Sequence, residues 1–325
     1  MHGLQAGLSD PRRHSGDADR RGKPPGRRRK RKRASLIGAF AKILALVPAR
    51  ALGALGAGIG RAAWLVDKRH RAIARRNLAR AFPELGWHAR ERIGREAFAE
   101  LGRSVMELAH VYTKPKDWLM ARIDLVGHGR VIEALTARRG AILCAAHHGN
   151  WELGALAFSM LGWPIHIPYR PLNQRQLDAW VLAARTRFGA RFHPRDGAAR
   201  ALLKALREGE AVALMVDQHI TGEPVPFFGH LALTTTLPAL LHQRTGAPLF
   251  GVMLMRNGKS FRFRLVFWPI EAPKGASPVE IMRIVSDEFA RRIRKKPEDW
   301  LWAHQRWAWI ERMSPEAAEA VHGIP

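Results

Sequence analysis

The sequence is poor in cysteine and in acidic residues. Cys144 is the single cysteine among 325 residues, which excludes an intramolecular disulfide framework and a cysteine-based zinc finger. When histidine is counted as charged, no stretch of about 18 residues is free of charge, so a protein that crosses a membrane many times is excluded. Asp and Glu number 28 against 54 Lys and Arg, a net charge of +26. Such a chain is expected to bind anionic partners: nucleic acid, anionic lipid, a phosphorylated substrate or an acidic carrier protein.

Motifs of several common enzyme classes are also missing. The sequence contains no G-x-S-x-G, no G-x-G-x-x-G after a strand and no H-E-x-x-H, so a serine α/β-hydrolase, a dinucleotide-binding site and a zinc-protease site lack support. Gly258-Lys259-Ser260 is similar to the end of a P-loop, but Met253 stands where that motif requires a glycine. No metal and no organic cofactor is predicted.

The first 34 residues form a basic tail with 12 Lys and Arg against 3 Asp and Glu. This composition predicts a disordered segment. Its basic run at 27–33 fits a nucleic-acid arm, a tether to a membrane surface, or a solvated tail.

Residues 35–66 are predicted to form a membrane-binding helical region. Lys42, Arg50 and Arg61 fall within one narrow arc of an otherwise apolar helix, the pattern of a helix lying in a membrane interface. Pro48 is expected to kink or split that helix. A single tilted span, a signal peptide and a buried structural helix pair are the alternatives.

The remainder of the chain predicts an α/β domain. Helical periodicity over 67–115 is followed by alternating strands and helices. Apolar runs at 140–146 and 211–217 are typical of strands buried on both faces, and 248–270 is expected to form a hairpin with Asn257-Gly258 as its two-residue turn. The predicted fold is a layered mixed sheet with flanking helices, preceded by the N-terminal membrane-associated region. Functional groups are expected at the carboxyl ends of the strands.

One segment carries a recognisable catalytic arrangement. The strand at 140–146 runs directly into two histidines, Gly149, which relaxes the backbone, and Asn150, which is a suitable helix N-cap. Glu152 then lies in the first helical turn and can fold back toward His147. A histidine held by a carboxylate can take a proton from an alcohol that attacks a carbonyl. An ordinary structural hydrogen bond between the two is the alternative, and Cys144, in mid-strand, is a poor nucleophile.

Several segments together resemble the late acyltransferases of lipid A biosynthesis, the lauroyl and myristoyl transferases among the lysophospholipid-acyltransferase-like enzymes. The resemblance extends over about residues 36–312 and keeps the family's order and similar spacing. The segments are RRNLARAFPEL (75–85), HHGNWELGALA (147–157), YRP (169–171), VDQ (216–218), PFFG (226–229), TTT (234–236) and PEDWLWAHQRW (297–307).

The resemblance implies a glycerolipid-acyltransferase-like fold and transfer of a fatty acyl chain from acyl carrier protein to a hydroxyl of a lipid A precursor. It implies work at the cytoplasmic face of the inner membrane, on an anionic membrane surface. The family's H-x4-D/E motif maps onto His147 as general base and Glu152 as its orienting carboxylate, and the spacing selects His147 over His148. Arg170 maps onto a contact for acceptor phosphate or sugar. The other implied substrate-binding residues are Tyr169, Asn150, Asp217, Gln218 and Thr235.

Three other interpretations are open. The same chemistry can serve a phospholipid, another glycolipid or another lipid alcohol. A basic nucleic-acid-binding protein, using the tail, is less favoured, and a non-catalytic membrane scaffold is the third. The expected boundaries are an acyltransferase domain at 67–315 and a C-terminal tail at 316–325.

Overall fold

Five helices precede the first strand in the computed structural model, which describes residues 36–310. The first four are α1 (Leu36–Leu44), α2 (Ala49–Val66), α3 (Lys68–Ala81) and α4 (Trp87–Thr113), and the short α5 is described with the sheet below. The predicted tails at 1–34 and 316–325, together with 311–315, lie outside the described residues.

The chain bends sharply between α1 and α2. The two axes differ by 108°, and Pro48 forms the N-cap of α2, as its fixed φ and missing N–H predict. Within 36–310, no helix alone has the length and apolar character to cross a membrane, and only the bent α1–α2 pair meets both criteria together. Arg61 of the predicted basic stripe forms an ion pair with Glu96 of α4 at 2.9 Å.

Helix α2 packs against α4 through glycines. A Cβ added to Gly60 would lie 2.0 Å from the carbonyl oxygen of Phe98, and one added to Gly102 would lie 2.2 Å from that of Gly56. The two backbones therefore meet directly, as small residues allow.

A seven-stranded mixed sheet follows. Its strands are β1 (Ile123–Val126), β2 (Ala141–Ala145), β3 (Ile165–Tyr169), β4 (Arg191–Pro194), β5 (Ala211–Met215), β8 (Leu249–Arg256) and β9 (Phe263–Ile270), in the spatial order β1-β9-β8-β2-β5-β3-β4. The β8–β9 pair is antiparallel and the other pairs are parallel. A separate antiparallel pair contains β6 (Glu223–Phe227) and β7 (His230–Thr234).

Helices cover both faces of the sheet. They are α5 (Lys116–Met120), α6 (Gly129–Thr136), α7 (Trp151–Met160), α8 (Arg175–Thr186), α9 (Ala198–Arg207), α10 (Leu237–Thr245) and α11 (Pro278–Lys295). Along β2, Ile142 and Cys144 belong to one apolar core, with α9, α10 and α11, whereas Leu143 belongs to the other, with α6, α7 and α8. Alternate strand residues thus supply two cores, as the pleat requires, and the predicted α/β layered domain is confirmed.

Three features of the sheet depart from the sequence predictions. Strand β4 and the β6–β7 pair were not predicted. The β8–β9 hairpin is confirmed, but its two-residue turn is wrong: Arg256 pairs with Phe263, and a six-residue loop, 257–262, joins the strands. Phe261 in this loop is buried in the core, and its burial accounts for the longer connection.

Candidate active site

The candidate site lies where three neighbouring parallel strands end. Strands β2, β5 and β3 are adjacent and parallel, so their carboxyl ends share one edge of the sheet. His147 follows β2, Asp217 follows β5, and Tyr169 ends β3.

The structure joins His147 to Asp217. The His147 Nδ1 lies 2.8 Å from Asp217 Oδ1, and the His147 backbone N–H donates to Asp217 Oδ2 at 2.7 Å. The indole N–H of Trp300 donates to the same Oδ2 at 2.8 Å. A carboxylate accepts hydrogen bonds, so Nδ1 carries the proton and Nε2 keeps the lone pair. His147 is thereby fixed in the tautomer that a general base needs.

Asp217 is held as an anion despite its burial. Burial alone would raise the pKa of its carboxyl group, but the charge and hydrogen bonds of His147 and the bond from Trp300 outweigh it, so the pKa lies below its ordinary value. A buried carboxylate of this kind stabilises an imidazolium ion beside it.

Glu152 does not occupy the orienting position that the resemblance implies. It accepts a hydrogen bond from the Tyr112 hydroxyl at 2.7 Å and two from the Arg185 guanidinium at 2.8 and 2.5 Å. Burial opposes ionisation, yet Arg185 and Tyr112 hold the pKa of Glu152 below its ordinary value, with a smaller contribution from the charge of His147. Glu152 is therefore a buried anion near the base, and the imidazole hydrogen bond belongs to Asp217.

His148 is fully buried in the structure. Its Nδ1 lies 3.3 Å from the carbonyl oxygen of Leu254, and its Nε2 lies 3.2 Å from that of Lys296. Both ring nitrogens of His148 therefore face backbone oxygens inside the protein.

The turn between the histidines and α7 depends on two residues. Gly149 has φ +58°, and a Cβ there would lie 2.5 Å from the carbonyl oxygen of Leu254, so only glycine fits without strain. Asn150 caps α7, since its side chain accepts from the Leu153 N–H at 3.3 Å, which confirms its predicted capping role. Its amide also donates to buried Glu107 at 3.3 Å, so it braces the turn from the protein side.

The remaining predicted residues lie around the same edge. Arg170 is exposed just beyond β3, and the Tyr169 ring packs edge-on against Phe192 at 6.0 Å. The Gln218 carbonyl accepts from Arg306 at 3.1 Å. The Thr235 hydroxyl accepts from a backbone N–H at the start of α10 at 3.2 Å. The hydrogen bonds of the His147 N–H and of its Nδ1 go to Asp217 and to none of these four residues.

Sequence reasoning missed the structural role of the chain after residue 296. The segment PEDWLWAHQRW (297–307) contains Trp300, whose indole N–H orients Asp217. Arg306 is buried and donates to the carbonyl of Leu233 at 2.6 Å and to the Thr234 hydroxyl at 2.6 Å. Burial lowers the pKa of Arg306 to about 10, so it stays charged at neutral pH. The matching W-x-H-x-R pattern was the available signal.

His304 of the same segment lies within the electrostatic reach of the dyad. Burial lowers its pKa to about 4, against the pull of Asp217 and with a further lowering by His147. At neutral pH His304 is therefore uncharged, so it places no positive charge near the imidazole of His147.

Cys144 is a poor nucleophile, as predicted. Its side chain is fully buried, and burial raises the pKa of the thiol to about 12. The thiol stays protonated, and thus unreactive, at neutral pH.

A small apolar cavity of about 60 Å³ lies between α7 and the sheet. The Trp151 ring lines it and packs edge-on against the His147 ring at 5.3 Å. Its other walls are apolar and include Leu143, Gly154, Phe158, Met215 and Leu254. One ring, that of Trp151, therefore separates the candidate base from an apolar space of the kind that binds hydrocarbon. No group of His, Cys, Asp and Glu side chains within 36–310 is arranged to hold a metal ion.

Residues 25–308 of this chain match the sequence pattern of the bacterial lipid A biosynthesis acyltransferase family. The chain belongs to this family. It is 28% identical to the lipid A biosynthesis palmitoleoyltransferase of Escherichia coli (strain K12) over 257 residues, 78% of this chain and 83% of that protein. It is 26% identical to the phosphatidylinositol mannoside acyltransferase of Mycolicibacterium smegmatis (strain ATCC 700084 / mc(2)155) over 271 residues, 82% of this chain and 88% of that protein. Its relatives therefore act on more than one class of glycolipid.

Proposed function

We propose that this protein transfers a fatty acyl chain from acyl carrier protein to a hydroxyl of a lipid A precursor, with His147 as general base. The observation that carries the proposal is the His147–Asp217 hydrogen bond, one aromatic ring away from an apolar cavity. Family membership supports acyl transfer in the biosynthesis of lipid A or a related glycolipid. The donor and the assignment of the base are our own inferences.

The chemistry starts with the acceptor hydroxyl beside Nε2 of His147. Its proton moves to Nε2 as its oxygen attacks the thioester carbonyl carbon, and Asp217 stabilises the resulting imidazolium. The first turn of α7, which begins at Trp151, presents the positive end of its dipole to the oxyanion. Collapse of the intermediate breaks the C–S bond, and the imidazolium returns its proton to the departing thiolate. Glu152 adds negative charge near the base, and its pairing with Arg185 keeps that charge in place.

A carrier-protein thioester suits the site for two reasons. The lining of the cavity under α7 is apolar, as the binding site of a hydrocarbon chain requires, and Trp151 joins this lining to His147, beside which the thioester carbonyl would lie. The chain's charge of +26 attracts an acidic carrier. Exposed Arg170, just beyond β3, is placed to bind a phosphate or sugar of the acceptor.

A membrane site is proposed for the reaction, at the cytoplasmic face of the inner membrane. Leu36, Phe40, Ile43 and Leu46 are exposed on and just after α1, and Leu55 and Ile59 are exposed on α2. Lys42 and Arg50 are exposed in the same region. Apolar side chains flanked by cations are typical of a surface that enters an anionic bilayer interface.

The direct test is acyl transfer by the full-length protein in detergent. Carrier-protein thioesters of several chain lengths would be supplied with a tetra-acylated lipid A precursor and, separately, with a mannosylated phosphatidylinositol. We expect product with the wild type and with His148→Gln, and loss of product with His147→Ala. Thermal melting would show that each variant is folded. The proposal would be overturned if folded wild type gave product with neither acceptor, or if His147→Ala kept full activity.

A further inference from the structure

A second apolar cavity lies between α2 and α4, away from the cavity under α7. This α2–α4 groove has a volume of about 480 Å³, and its lining includes Ile59, Ala63, Gly102, Val105, Leu301 and His304. It shares no lining residue with the cavity beside Trp151. The proposed donor chain occupies only one of these two spaces.

The inner end of the groove reaches the reacting centre. Leu301 lines it, and the Leu301 backbone N–H donates to the carbonyl oxygen of His147 at 3.2 Å. The preceding residue, Trp300, donates to Asp217 at 2.8 Å. The wall of the groove is thus the same short segment that holds the base and its carboxylate.

The outer end of the groove opens among exposed apolar side chains. Ile59 and Val105 line it with 51% and 54% of their surfaces exposed, and Leu55, one turn from Ile59, is 56% exposed. Exposed apolar side chains gathered in this way mark a surface that meets an apolar partner. Lys68 and Arg69 are exposed between the lining residues Asp67 and His70, so cations lie close to the mouth.

The floor of the groove is built from small residues. Gly60, Ala63, Gly102 and Ala303 all line it, and the direct backbone contact of α2 with α4 at Gly60 fixes its depth. A bulky side chain at one of these positions would fill the groove. Most of the lining is apolar, and its polar side chains, Asp67, His70 and His304, leave a continuous apolar floor that suits a hydrocarbon chain better than a sugar.

We propose that the α2–α4 groove binds an acyl chain that the acceptor lipid already carries. The acceptor then slides from the exposed apolar surface along the groove, and its free hydroxyl arrives beside His147 opposite the donor chain. The inference rests on the proposed function for the reaction and adds a requirement: the enzyme selects acylated over deacylated acceptors.

The test compares two neighbouring residues of α2. Ala63→Phe fills the groove, whereas Ala62→Phe places the same ring on an exposed position that does not line it. The acceptors are the tetra-acylated lipid A precursor and its chemically de-O-acylated form. We expect wild type and Ala62→Phe to prefer the acylated acceptor in kcat/KM, and Ala63→Phe to lose at least tenfold of that preference. Val105→Gln, at the exposed mouth, should lower the preference in the same direction without disturbing the core.

A second readout does not depend on activity. The same acylated acceptor, carrying a diazirine at the end of one chain, would be photo-crosslinked to the protein and the labelled peptides identified by mass spectrometry. Labels on α2 and α4 that Ala63→Phe removes and Ala62→Phe keeps would support the proposal. Labels elsewhere, or an unchanged preference in folded Ala63→Phe, would overturn it. If folded wild type transfers to no acceptor, the proposed function fails, and the labelling pattern still decides the groove.

Discussion

Replacing Asp217 with asparagine should disable the base while leaving the fold intact. Asp217 accepts hydrogen bonds from the His147 N–H, from His147 Nδ1 and from the Trp300 indole at 2.7 to 2.8 Å. Asparagine is the same size, but its NH₂ group facing Nδ1 forces the proton onto Nε2. The base then lacks its lone pair toward the acceptor, and the imidazolium lacks a counter-charge. A fall in kcat of about 10³ to 10⁴ is expected, or about 4 to 5 kcal/mol of transition-state stabilisation.

The assay is steady-state acyl transfer at saturating donor and acceptor, with thermal melting to establish folding. Glu152→Gln is the matched control because it removes a buried carboxylate near the same histidine without breaking a hydrogen bond to it. Any loss of activity in Glu152→Gln should come from leaving the Arg185 charge unpaired. Adding Arg185→Met to that variant should therefore recover part of the activity. If folded Asp217→Asn keeps more than about a tenth of the wild-type kcat, Asp217 does not orient the base.

Three further outcomes follow from the packing and burial of single residues. Gly60→Ala would place a Cβ 2.0 Å from a backbone oxygen and should lower the free energy of unfolding, measured with denaturant, by about 1 to 3 kcal/mol. Gly58→Ala is the control, since a Cβ there meets nothing within 4 Å, and it should be neutral or stabilising. Equal effects of the two substitutions would contradict the α2–α4 contact. Glu107→Gln should lower the free energy of unfolding by about 3 kcal/mol, because buried Arg256 loses a carboxylate charge 2.7 Å away. An unchanged melting temperature would refute this prediction. Cys144, with its pKa raised to about 12, should resist iodoacetamide at pH 8 unless the protein is unfolded, and rapid labelling of the native protein would show that the strand opens.

Local sequence patterns predicted most of the fold because the signals lay within single elements. The apolar run at 140–146 predicted β2, whose first four residues are buried between the two helical layers. Strand β4 was missed because its four residues are only partly buried or exposed, which leaves no apolar alternation. The loop at 257–262 was missed because the burial of Phe261 depends on residues far away in the chain.

The candidate site shows the same division. His147 was predicted from its position at a strand end, and Asn150 as an N-cap from its position before a helix. The carboxylate on His147 was assigned to Glu152 because four-residue spacing is visible in a sequence. The partner in the structure is Asp217, 70 residues away, and only strand order brings it there. Buried contacts from Trp300 and Arg306 likewise join segments that no local pattern connects.

The route by which the site is assembled has a consequence for how the protein matures. The base, its carboxylate and the indole that orients that carboxylate come from residues 147, 217 and 300, so two long stretches of chain must close before the three meet. Closing such stretches is entropically costly and slows folding. Translation also delivers Trp300 after every strand of the sheet has been made. A partly synthesised chain can therefore pair its strands and still lack the proposed base with its carboxylate, and the proposed acyl transfer requires the last segment to dock.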